Sequence, residues 1–276
     1  MIKSYIKNTI LFKSFLRSNI YYKYSSPKGY KAYQEELRFY RRLLKSHSSK
    51  SDLIFDVGAN MGRKALIFSK LVNKVIAFEP TEKIFKFLQK RFENSNVIPL
   101  NYALGSRVSS SDLYIIEGNE AYNTLNKKHI ETTVTDRGIT SVGNFSSKRV
   151  KVETIENFIK KFGMPKYVKI DVEGYELEVV RGLKTPVPIL SFEVNLPEFC
   201  DESIQSINYL GTISSNKYRY NFTTSNSFLK EKFVTKNEAI NFLMNTQLPY
   251  LEIYAKLSIV SVGRDRKREL KVESEK

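Results

Sequence analysis

At 276 residues with 41% apolar content, the chain is long enough for one large α/β domain with extensions, and its composition excludes collagen-like, solenoid and wholly disordered architectures. Its single cysteine, Cys200, excludes an intramolecular disulfide and fits a small half-buried side chain in a reducing, cytoplasmic setting. With only His47 and His129, both expected at the surface, a histidine-based zinc site or a Ser-His-Asp triad lacks members.

The net charge of +16 is unevenly spread. Residues 1–50 carry twelve Lys/Arg against Glu35 and Glu36, so the excess belongs mainly to a basic, helical N-terminal extension. Within it Ile2, Ile6, Ile10, Phe12, Leu16 and Ile20 recur at roughly helical spacing, while Lys13 and Arg17 break any run of signal-peptide or membrane-span length. Two readings stay open for this segment. It lies peripherally on an anionic membrane or an acidic polymer, or it docks on the domain with its lysines in solvent.

After the SSPKG turn, AYQEELRFYRRLLKS predicts a helix with Tyr33, Leu37, Tyr40 and Leu44 on one face. LIFDV (53–57) predicts a strand buried on both faces, and KALIFSKLV a helix after Gly62. KVIAFEP predicts a second strand, and TEKIFKFLQKRFEN a helix with Ile84, Phe87, Leu88 and Phe92 on a common side. NVIPLNYAL predicts a third strand. This alternation argues for a doubly wound, mostly parallel sheet with right-handed crossovers.

The rhythm changes in a β/loop insertion over 105–150, where DLYIIEG and SKRVKVETI predict strands around a long mobile loop, 118–144. It resumes with the helix ENFIKKFG, the strand KYVKIDV, the helix GYELEVVRGLK and the strand PILSFEV. KYRYNFTT and LEIYAKLSIV predict further strands, NEAINFLMN a helix, and residues 263–276 a charged, frayed tail.

In such sheets ligands bind beyond the carboxyl ends of the strands. Here those ends carry Asp56, Glu79, Asp171 with Glu173, and Glu193 with Asn195, so four neighbouring strands deliver carboxylates to one rim. Their mutual repulsion calls for a hydroxyl-rich or cationic ligand. In DVGANMG, Gly58 and Gly62 permit a tight turn and close approach of backbone to ligand. The G-x-G-x-x-G of a pyrophosphate cradle is missing, which argues against NAD-dependent oxidoreduction. Asp56 suits a positive charge and Glu79 a ribose diol, demands that S-adenosylmethionine meets together.

DVGAN followed by FEP, then KIDVEGYELEVVRG and SFEVN, resembles the FkbM family of S-adenosylmethionine-dependent methyltransferases over about residues 51–196. The resemblance implies a class I (Rossmann-like) methyltransferase domain, placed here at 51–262, with a seven-stranded sheet whose last strand is antiparallel. It implies methyl transfer, usually to an oxygen of a sugar or other hydroxylated metabolite. Carried over by position, Asp56, Gly58, Ala59, Asn60 and Gly62 form the methionine-side loop, Glu79 with Pro80 the ribose contact, and the stretch containing Asn101 and Ala103 the neighbourhood of the adenine. Asp171 and Glu173 complete the cofactor set. One departure is Ala65, preceded by Arg63 and Lys64, where family members often carry Ser or Thr.

In KIDVEG, Lys169 and Asp171 point from one face of an apolar strand, so the lysine needs a carboxylate partner from Asp171, Glu173 or Glu193. The cluster either only fixes the sheet edge or positions the acceptor, with Asp171 ahead of Glu193 as the group that takes the hydroxyl proton. No resident metal is expected, the set Asp171, Glu193 and Asn195 being a weak candidate. Tyr122, Asn123, Thr124 and Asn195 are the expected acceptor contacts. The leading expectation is O-methylation of a saccharide or related polyol, as a small molecule or glycan. A nucleic-acid methyltransferase is opposed by the missing Asp/Asn-Pro-Pro-Tyr run and by basic residues clustering outside the core. A non-catalytic module that binds a membrane or polymer would reveal itself by failing to bind the cofactor.

Overall fold

The computed structural model describes residues 27–45, 51–116, 119–134 and 145–258. The amphipathic stretch near the N-terminus, His47, part of the 118–144 loop and the charged tail from 263 lie outside these residues. No described helix is long and apolar enough to cross a membrane.

Ten strands appear in chain order. They are β1 (Leu53–Val57), β2 (Lys74–Phe78), β3 (Val97–Leu100), β4 (Ala103–Leu104), β5 (Ser109–Ile115), β6 (Ser146–Glu153), β7 (Tyr167–Ile170), β8 (Ile189–Asn195), β9 (Tyr218–Thr223) and β10 (Tyr250–Leu257). Seven form one sheet in the order β3-β2-β1-β7-β8-β10-β9. β10, the last in the chain, runs antiparallel between β8 and β9, and the pairings from β3 to β8 are parallel. β4, β5 and β6 make a small second sheet at the insertion. The single strand predicted over NVIPLNYAL therefore splits at Asn101–Tyr102, its two parts joining different sheets.

Three helices, α1 (Pro27–Lys45), α2 (Arg63–Phe68) and α3 (Glu82–Arg91), share one apolar cluster with Ile54, Val75, Ala77, Tyr167 and Tyr254 on one sheet face. The other face carries Phe55, Val57, Phe78 and Val168, packed by α4 (Ile155–Phe162), α5 (Glu176–Arg181), α6 (Cys200–Ile213) and α7 (Lys236–Asn245). This is a three-layer doubly wound domain.

Two sequence-based expectations change. Residues 27–45 are not a separate extension, because Tyr33, Leu37, Tyr40 and Leu44 are all buried in the domain core. Helix α6 has no counterpart among the predicted elements, since its buried face is built from Ser203, Ser206 and Gly211 as well as Ile207 and Leu210, which blurs the apolar period.

Residues 119–134 are also not the structureless loop the sequence suggests. They form a strap of short turns, a helical turn Lys127–His129 and a π-helical turn Ile130–Val134. The Asn123 amide donates to Thr81 Oγ1 (3.3 Å), the Thr124 hydroxyl to the Glu173 carbonyl (2.6 Å) and the Asn126 amide to the Gly174 carbonyl (2.6 Å). The strap thus spans from the end of β2 to the turn after β7, above the carboxyl ends of the strands.

Candidate active site

β1 ends in a turn that only small or adaptable residues can make. Gly58, Asn60 and Gly62 all have positive φ, at 79°, 46° and 75°. A Cβ on Gly58 would stand 1.7 Å from the Asp171 carbonyl oxygen, so the approach of the β1 and β7 ends requires glycine there. Gly62 faces the other way, where a Cβ would meet Leu88 and Phe92 of the α3 region; its role is packing.

Glu79, at the end of β2, is buried, and its two carboxylate oxygens are already oriented. Oε2 accepts from the Asn60 N–H (2.9 Å) and Oε1 from the Thr81 N–H (2.8 Å). Each retains capacity to accept another hydrogen bond, which a vicinal diol would supply. Burial raises its pKa while these N–H donors oppose the rise. The Asn101 amide donates to the Glu79 and Pro80 carbonyls (2.9 Å each), so Asn101 braces this turn from outside.

Across β1 from Glu79 lies the acidic end. Lys169 Nζ donates to Asp171 Oδ2 at 2.5 Å. Burial pushes the Lys169 pKa down, but Asp171, Glu252 and Asp56 more than offset this and hold the ammonium charged. Burial pushes Asp171 up, but Lys169 and a hydrogen bond from Glu193 outweigh it and keep the carboxyl below its ordinary value. Glu193 takes the opposite course. Burial, Asp171 and Glu173 drive its pKa far up, which favours the protonated form as a donor to the Asp171 carboxylate.

Asp171, Glu173 and Glu193 place carboxylate oxygens within 4.8 Å of one another. Among the described residues, this acidic group could hold a cation. Glu173 is held at φ 54° in the turn after β7, and Gly174 at 87°. Glu176 Oε1 accepts from the Val172 and Gly174 N–H groups (3.0 and 3.2 Å) and locks that turn. Its burial raises its pKa to about 8.

Two cavities meet at this rim. The first, about 230 Å³, is lined by Gly58, Asn60, Glu79, Pro80, Ala103, Asn123 and, at its other side, Asp171, Glu173 and Glu193. Glu79 on β2 and Glu193 on β8 are separated by β1 and β7, about 14 Å at ordinary strand spacing. An extended ligand with a diol at one end and positive charge at the other fits this donor set, which is the chemistry of S-adenosylmethionine. The second cavity, about 700 Å³, shares Gly58, Asn60, Ala121 and Asp171 with the first and adds Ala59 and Lys169.

Several expected site residues line neither cavity. Asp56 is fully buried beneath the glycine turn with both carboxylate oxygens lacking a hydrogen-bond partner. Burial raises its pKa to about 6 against the pull of neighbouring Lys169. Strand alternation puts it on the α1–α2 side with Ile54 and Lys169. Tyr122 and Asn195 also lie outside the linings, and Thr124 acts on the Glu173 carbonyl.

Sequence reasoning missed His129. It is wholly buried, not at the surface; its ring lies 5.8 Å from that of Phe199 and its Nε2 is 3.3 Å from Glu173 Oε2. Phe87, expected on a common side with Ile84, Leu88 and Phe92, is 39% exposed and lines the second cavity. Neither has a local sequence signal, because strap and cavity wall are tertiary constructions.

Residues 56–220 match the Methyltransferase FkbM domain family. Hexuronic acid methyltransferase AglP of Haloferax volcanii is 33% identical over 155 residues, which is 55% of this chain and 59% of that protein. The fold is also similar to the plantazolicin methyltransferase BpumL, solved with S-adenosylhomocysteine, at 10% identity and TM-score 0.40 over 94% of this chain and all of that one. An rRNA methylase from Streptococcus thermophilus aligns at 9% identity and TM-score 0.41 over 81% of this chain and 97% of that one. With the family match covering more than half of its length, the chain belongs to the FkbM methyltransferase domain family.

Proposed function

We propose that the protein methylates an oxygen of a saccharide or related polyol. The observation that carries this reading is Asp171, a carboxylate held below its ordinary pKa that lines both cavities, with Lys169 on one side and Glu193 on the other. A hydroxyl entering from the second cavity meets an acceptor for its hydrogen at the junction with the cofactor cavity. The name of the Haloferax volcanii relative, a hexuronic acid methyltransferase, supports an acceptor of sugar type.

The bound cofactor supplies an electrophilic methyl group. Glu79 and the Asn60 N–H fix the ribose end, and Asp171, Glu173 and Glu193 provide negative charge for the sulfonium end. Asp171 orients the acceptor hydroxyl and receives its proton as the new oxygen–methyl bond forms and the old sulfur–methyl bond breaks. Because its pKa is held low, Asp171 is a weak base, and alignment contributes more of the rate than proton abstraction.

The test is incubation with methyl-labelled cofactor and a set of hexoses, hexuronic acids and their oligosaccharides, with products analysed by mass and by stability to mild alkali. Label on a sugar oxygen is the expected result. Label transferred to RNA or protein, with none to any sugar, would contradict the proposal.

A further inference from the structure

The second cavity is lined by four cations, Arg63, Lys64, Lys83 and Lys169, against one acid, Asp171. Around Arg63 and Lys64 positive charge is in excess. Glu36 of α1 is a single carboxylate paired to both Arg63 and Lys64, so it cannot neutralise the two. Lys169 is matched by Asp171, and Asp56 lies buried behind it. Arg63 and Lys83 are exposed at the cavity, where a ligand can reach them. The remaining wall is apolar, with Ile84 and two large side chains left in solvent, Met61 at 47% and Phe87 at 39% exposure.

We propose that this cavity binds an acidic saccharide, whose carboxylate or phosphate lies between Arg63 and Lys83 while a C–H face of the sugar packs on Phe87. The proposal rests on the reading of the first cavity as the cofactor site. Arg63 presents a planar fork suited to a carboxylate or phosphate, and Lys83 adds a point charge from the facing helix. The aromatic ring offers the apolar surface a pyranose needs on one side. Anchoring the acid at this end turns the rest of the sugar toward Asp171, where the cavities join. Arg63 and Lys83 are therefore the residues that select an acidic over a neutral acceptor.

The experiment uses the full chain saturated with S-adenosylhomocysteine and measures the binding of glucuronic acid, glucose 6-phosphate and glucose at low salt. At least one acid probe should bind about tenfold or more tightly than glucose, and which one does so distinguishes a carboxylate from a phosphate. Lys83→Gln, and Arg63→Gln with Lys83→Gln, should reduce that preference to about threefold or less with unchanged S-adenosylhomocysteine affinity. Lys83 stands on the exposed side of α3, so its single variant remains informative if the double variant folds poorly. Equal binding of the three probes, an undiminished preference in both variants, or no acid-probe binding to the saturated protein would overturn the proposal. Failure of S-adenosylhomocysteine itself to bind would instead overturn the cofactor reading beneath it.

Discussion

The two ends of the first cavity are built on different principles. At the β2 end, both Glu79 oxygens are taken by backbone N–H groups and the neighbouring carbonyls by Asn101. At the β7–β8 end, Asp171, Glu173 and Glu193 crowd together over one buried lysine, and their pKa values are pushed apart. The first arrangement is preorganised for binding a neutral diol; the second keeps electrostatic tension that a cationic ligand relieves. On the proposed reading, binding and chemistry are divided between strands on either side of β1.

This division can be broken from its hinge outward. Gly58→Ala drives a Cβ into the Asp171 carbonyl at the join of the two ends, at a residue with φ 79°. It should cost on the order of 3–5 kcal/mol in denaturant unfolding and abolish cofactor binding. Asp171→Asn should lower kcat about 100-fold while leaving the cofactor Kd within about threefold, and a loss of both together would show that the ends are not separable.

Glu193→Gln sharpens the same point. With its pKa driven up, the native side chain favours the donor form toward Asp171, a contact the amide can replace, so activity should stay within about fivefold. A drop as deep as that of Asp171→Asn would mean Glu193 works as the ionised base.

A further effect, on stability alone, concerns Asp56. Its pKa is raised to about 6 in the folded protein, so between about pH 4 and pH 6 the native state holds a proton that the unfolded chain has released. Its contribution therefore becomes less favourable as pH rises through that window, by on the order of 3 kcal/mol when both states are ionised. Asp56→Asn should flatten that part of the stability profile, as read from urea unfolding at several pH values.

The binding end was legible because its signals are local. An apolar strand, glycines that need positive φ and an acid closing the next strand stand in sequence order, and Glu79 lines the cavity as expected. Asp56, expected beside the ligand, lines neither cavity. Its neighbours Phe55 and Val57 face one side of the sheet, so alternation alone sends Asp56 to the other, toward Lys169 and α2, and no charge rule overrides that geometry. The acceptor side depends on contacts across long separations, such as Glu36 with Arg63 and His129 with Glu173, which neither periodicity nor motif spacing encodes.

The central claim is that Glu79 and the glycine turn form the cofactor site, and calorimetric titration of the protein and of Glu79→Ala with S-adenosylhomocysteine tests it most directly. The account predicts micromolar binding by the wild type, weakened about 100-fold or more in the variant. Equal affinity in the two proteins, or no binding by the wild type, would contradict it.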